Sequence, residues 1–161
     1  METLIYDRTK QDIEKALAKN QIPYPCTDGY YECTNGFYLV LDIPSKAFLN
    51  AMDLNRIEHW TQHLCDLLTF YGYMPIIDKK TSIWFMEDIP YRTDIDRIRS
   101  NIDELRSSYF PMPDWREIMY NDTMNYEQMN AIEWDLHIIA TWIEKMISSF
   151  LYSGEIYCGE V

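Results

Sequence analysis

The chain has 161 residues, a formal net charge of −12, 47% apolar residues, and only five glycines and seven prolines. That length suits a single domain, residues 1–161, with a real hydrophobic core, and the composition excludes both disorder and a fibrous repeat. The charge argues against nucleic-acid or anionic-membrane partners: Lys79-Lys80 is the sole basic pair, so no basic patch is available to displace counterions from phosphates.

Thirteen tyrosines, six phenylalanines and five tryptophans make the aromatic content high. Rings that pair an apolar face with a polar handle are enriched at interfaces, so the composition leans towards a protein that buries surface against a partner. The opening residues lack the basic start and apolar run of a signal peptide, and no uncharged apolar stretch reaches the ~20 residues of a membrane helix. A soluble protein made in a cytoplasm, with reduced thiols, is the expectation. Cys26, Cys33, Cys65 and Cys158 are too scattered for a disulfide framework.

Four helices are predicted, and the first covers about residues 9–19. Thr9 stands three residues before Asp12 in a capping pattern. An aromatic hairpin is expected over residues 30–41, where Asn35-Gly36 supplies the positive φ values of a two-residue type I′ turn. A second helix, 50–71, carries Leu54, Ile57, Leu64, Leu68 and Tyr71 in a 3-4 rhythm interrupted by Thr61, and Gly72 stops it. A weaker hairpin is expected over 74–86, with residues 78–81 as its loop. The third helix, 91–109, repeats the rhythm with Ile95, Ile98, Ile102, Leu105 and Tyr109, and ends before Pro111 and Pro113. Residues 111–123 read as irregular.

The fourth helix, 124–152, has the clearest stripe: Met129, Ile132, Leu136, Ile139, Ile143, Met146 and Phe150. Trp134, Ile138 and Trp142 widen it, as in the central helix of a bundle. The fold class is therefore α+β, mainly α: a bundle of about four helices with one or two small β-hairpins. An internal echo, Asp53-Leu54-Asn55-Arg56-Ile57 against Asp94-Ile95-Asp96-Arg97-Ile98, is explained by convergent helix-start chemistry, with duplication of an α-hairpin as the alternative.

Candidate chemistry weakens at each position. His59 and His63 lie four apart on one helix, but Cys65 is about 200° round from His63 and cannot join them. None of the three histidines follows a Glu by three residues, which argues against a carboxylate-bridged di-iron site. His137 with Ser153 or Cys158 lacks a nucleophile elbow, and there is no Gly-rich phosphate loop. Glu155 and Glu160, in near-duplicate Gly-Glu pairs, read as part of a docking tail. Arg56 and Arg97 read as members of solvated ion pairs. No catalytic residue, metal ligand or cofactor is expected, and the chain reads as non-enzymatic.

Four segments carry a resemblance: Tyr6-Asp7-Arg8-Thr9-Lys10-Gln11-Asp12-Ile13, Ala51-Met52-Asp53-Leu54-Asn55-Arg56-Ile57-Glu58, Trp84-Phe85-Met86-Glu87-Asp88-Ile89-Pro90, and the ending from Tyr152 to Glu160. In order and spacing they resemble a family of small proteins of bacteriophages and prophages of Gram-positive bacteria. Residues 21–49 and Cys158 depart from that pattern.

The resemblance implies a virion structural protein, tail- or baseplate-associated and assembled in the bacterial host cytoplasm. It implies other phage structural proteins as partners, and supplies no catalytic residues. A homo-oligomer is suggested by the aromatic content and the wide face of the fourth helix. The alternative is a recognition module in which Tyr24, Tyr30, Tyr31, Phe37 and Tyr38 present aromatic faces to a glycan or a host surface protein.

Overall fold

The structure is a computed structural model, and it describes residues 2–20, 46, 49–85, 87–117 and 125–153. In chain order the helices are α1 (Lys10–Asn20), α2 (Ala51–Phe70), α3 (Arg92–Tyr109) and α4 (Tyr126–Ser153). Each start is set by local hydrogen bonding that satisfies otherwise orphaned N–H groups. At α1 the Asp12 carboxylate accepts from both the backbone N–H and the hydroxyl of Thr9, each at 2.8 Å. Those bonds, the side-chain one first, hold the Asp12 carboxyl below its ordinary pKa.

Asn50 and Asp53 form a reciprocal capping box at α2, and Asp94 accepts from the Tyr91 N–H at α3. Asn125 caps α4 by accepting from the Gln128 N–H at 2.9 Å. Gly72, at φ +91°, ends α2. Its N–H reaches the Thr69 carbonyl while the Tyr73 N–H reaches back to Leu68, the paired bonds of a Schellman turn.

α2, α3 and α4 pack against one another, and the core lies between them. Leu54, Ile57, Leu64 and Leu68 face Ile95, Ile98, Ile102 and Leu105, and the α4 stripe from Met129 to Ile143 closes the third side. Full burial of each such side chain contributes roughly 1.5–3 kcal/mol, which dominates the gains that hold the bundle. Thr61, the interruption in the α2 stripe, is buried with them, and its hydroxyl donates to the Ile57 carbonyl at 2.8 Å. The α4 stripe fades towards its end: Met146 is half-buried and Phe150 is exposed.

The expected α+β class is corrected, because the described residues contain helices and connections but no strand. The weaker hairpin over 74–86 does not form, and the cause lies in two helix asparagines. Asn101 on α3 accepts from the Asp78 N–H and donates to the Asp78 carbonyl, both at 2.8 Å. Asn55 on α2 does the same for Trp84, at 2.7 and 2.9 Å. The backbone groups of Asp78, at the edge of the expected loop, and of Trp84, within the expected second strand, are thus taken by helix side chains, so the connection is pinned to the bundle as an arch. The hairpin expected over 30–41 lies outside the described residues.

Candidate functional site

A third asparagine makes the same paired contact. Asn130 on α4 accepts from the Arg8 N–H at 3.0 Å and donates to its carbonyl at 2.8 Å. This fixes the extended segment before α1 along the bundle and carries the Arg8 guanidinium inside. There Arg8 meets Glu133 at 2.7 Å and Asp53 at 3.1 Å. Arg56 reaches the two oxygens of Glu133 at 2.8 and 3.1 Å and also donates to Asp53. Glu133 is fully buried, and Arg8, Asp53 and Arg56 are each less than one-tenth exposed.

Two guanidinium groups and two carboxylates balance to zero net charge. Burial favours the neutral form of Arg56, but the hydrogen bonds and charge of Glu133, and then of Asp53, outweigh it and raise its pKa. The Ile5 N–H donates to Glu133 as well, and Arg8 also donates to the Ile5 carbonyl. Every carboxylate is therefore engaged, and the cluster binds the N-terminal segment to α2 and α4. The expectation of a solvated Arg56 is corrected. Arg97 is likewise drawn in from solvent, bridging Glu58 and the Asp78 carbonyl.

A second buried acid faces the connection after α3. Asp135 on α4 is fully buried; one of its oxygens accepts from the Arg116 N–H at 2.9 Å, and the other has no hydrogen-bond partner among the described residues. Burial pushes its pKa up to about 7, against the opposing pull of that hydrogen bond and of Arg106 and Arg116, with Asp103 adding to the rise. Around it the connection is clamped by aromatics. Trp134 donates to the Asp114 carbonyl, Arg116 lies over the Trp134 ring, Arg106 over the Trp115 ring, and Met112 is buried.

The surface carries unusual apolar exposure. Ile83, Phe85, Ile89 and Tyr91 are all exposed along the stretches 83–85 and 87–91. At and just after the end of α2, Phe70, Met74 and Ile76 are each at least 80% exposed, and Phe150 stacks on Tyr71, itself edge-on to Phe70. A cavity of about 430 Å³ lies under the arch, lined by Asn55, Glu58, His59, Lys79 and Trp84 among others, with Glu58 already committed to Arg97.

Tyr24, Tyr30, Tyr31, Phe37 and Tyr38 lie outside the described residues, as do Cys158, Glu155 and Glu160. His59 and His63 are both on α2, and His63 stands edge-on to Trp60. His137 is half-buried and stacks on Tyr6 at 5.1 Å. Cys65 is buried, its thiol directed to the Pro75 carbonyl and its pKa raised by that burial. No group of three or more candidate metal ligands occurs among the described residues, and no helix there is long and apolar enough to cross a membrane. The charge cluster, Asp135 and the asparagine clamps escaped the sequence reading. Their signal was present in α4, where Glu133 and Asp135 sit within helical spacing of the apolar stripe.

Comparison with protein families, with curated proteins and with solved structures finds no match for this chain.

Proposed function

We propose that this chain is a non-enzymatic structural component of a bacteriophage or prophage particle, tail- or baseplate-associated, acting through contacts with other structural proteins. The observation that carries the reading is the exposure of Ile83, Phe85, Ile89 and Tyr91 along one connection and of Phe70, Met74 and Ile76 at the end of α2. Large apolar side chains concentrated in this way mark surfaces that are covered in an assembly. The phage assignment is supported by the four sequence segments described above. Self-association into a symmetric oligomer belongs to the same reading and is assigned to the Phe70 end.

The test is the composition of particles purified from the phage or induced prophage that encodes the chain. Quantitative mass spectrometry is expected to find it in fixed proportion to tail proteins. Its presence in the lysate but not in the particles would overturn the reading. Sedimentation at high concentration checks self-association, and a persistent monomer removes that part of it.

A further inference from the structure

We infer that the surface formed by residues 83–85 and 87–94 docks a basic, amphipathic segment of another protein, an inference that rests on the contact reading above and names the partner's chemistry. The shape comes first. A groove of about 340 Å³ is lined by Lys80, Trp84, Glu87, Asp88, Tyr91 and Asp94 together with Ile89. Ile89 and Tyr91 expose most of their surface along its wall, and Phe85 and Ile83 are exposed on either side of Trp84 in the chain, with Ile83 lining the cavity under the arch.

The surface is held in place before any partner arrives. Asn55 pins the Trp84 backbone at one end, and the Tyr91 N–H is held by Asp94 at the other. Between them the Phe85 N–H donates to Asp88 at 2.9 Å while the Asp88 N–H returns to the Phe85 carbonyl. A surface ordered in advance loses little further conformational entropy on binding.

Charge then selects the occupant. Three carboxylates face the groove against one cation, and that cation is occupied: the Lys80 ammonium lies 4.0 Å from the Trp84 ring centroid and within reach of the Ser82 hydroxyl. Asp88 and Asp94 each spend one oxygen on backbone N–H groups, and Glu87 is exposed. A second copy of this chain would bring a further charge of −12 to an acidic groove, which disfavours it. A segment that alternates Lys or Arg with apolar side chains places cations among the carboxylates and covers Ile89 and Tyr91.

The experiment titrates the isotope-labelled full chain with a short Leu/Lys amphipathic peptide and, separately, with its Leu/Glu counterpart, following backbone amide shifts. Binding of the Leu/Lys peptide is expected, with shifts confined to residues 83–94. The double variant Glu87→Gln/Asp88→Asn, which keeps an acceptor for the Phe85 N–H, is expected to weaken it about tenfold. Ile89→Ser, at an exposed position, is expected to weaken it as well. Equal binding of the Leu/Glu peptide, or no binding of either, overturns the inference. Shifts centred on Phe70, Met74 and Phe150 also overturn it while leaving a contact role at the other surface intact. The composition of purified particles decides the contact reading independently of every peptide result.

Discussion

Asp135 and Glu133 are two residues apart on α4 and both fully buried, yet they place opposite demands on the fold. Glu133 is matched by two arginines, so its removal leaves Arg8 and Arg56 with an excess of buried positive charge. Glu133→Gln is expected to lower stability by about 3–5 kcal/mol in urea denaturation, the usual cost of breaking a buried pair from one side. Asp135 has no such ion pair among the described residues, where the charges of Arg106 and Arg116 offset its burial only in part. Its pKa is raised from 3.8 to about 7, so the folded state binds the proton more tightly than the unfolded state does. The associated stability is complete below the unfolded pKa and is lost as pH rises through about 7.

A rise of that size corresponds to about 4 kcal/mol at most across that window. Asp135→Asn keeps an acceptor for the Arg116 N–H and removes the titration. The variant is expected to gain on the native chain as pH rises from 5 to 8 and to be the more stable of the two at pH 8. A stability difference that does not change with pH would contradict this account. Neither acid was legible from composition. Arg56 looked solvated because the nearest carboxylates in sequence offered ordinary helical ion pairs, whereas its buried partner Glu133 lies 77 positions away.

At the scale of elements, the helix starts were readable because their chemistry is local. Thr9 with Asp12 and Asn50 with Asp53 make their bonds within three residues, so the sequence shows both partners together. The apolar stripes of α2, α3 and α4 were readable for the same reason. The connection over 74–86 was misread because its deciding contacts span 23 and 29 positions, from Asp78 to Asn101 and from Trp84 to Asn55. Alternating apolar residues met the local criteria for a strand, and the helix amides tied the backbone at Asp78 and Trp84 to the bundle instead.

This assigns the arch a specific mechanical dependence. Asn55→Ala removes two hydrogen bonds and leaves the Trp84 N–H without an acceptor, at a cost of about 1–3 kcal/mol. Exchange of the Trp84 amide with solvent is expected to rise at least about tenfold, while amides in the middle of α4 keep their protection. Uniform acceleration across the protein would mean that the clamp supports the whole bundle rather than the arch.

For the whole molecule, the extended segment before α1 behaves as part of the core. Leu4 and Arg8 are buried, Tyr6 packs edge-on against Trp134, and the Trp60 indole donates to the Glu2 carbonyl. Deleting residues 2–8 would leave Asp53, Arg56 and Glu133 with one unbalanced negative charge in the interior. A loss of about 3–5 kcal/mol is expected, a large share of the roughly 5–15 kcal/mol that holds a typical domain. Thermal melting followed by circular dichroism should show a lower midpoint, and an unchanged midpoint would mean that the segment is merely laid on the surface.

The same segment also imposes an order on biosynthesis. The Ile5 N–H finds its acceptor on Glu133, 128 positions later. At roughly 5–20 residues per second, a ribosome needs on the order of 6 to 26 s between the two. Throughout that interval Arg8 lacks Glu133, so the nascent chain stays open at its N-terminal end until α4 follows. An attachment to the first residues that holds them elsewhere during translation would act on maturation, leaving the finished bundle's own contacts untouched.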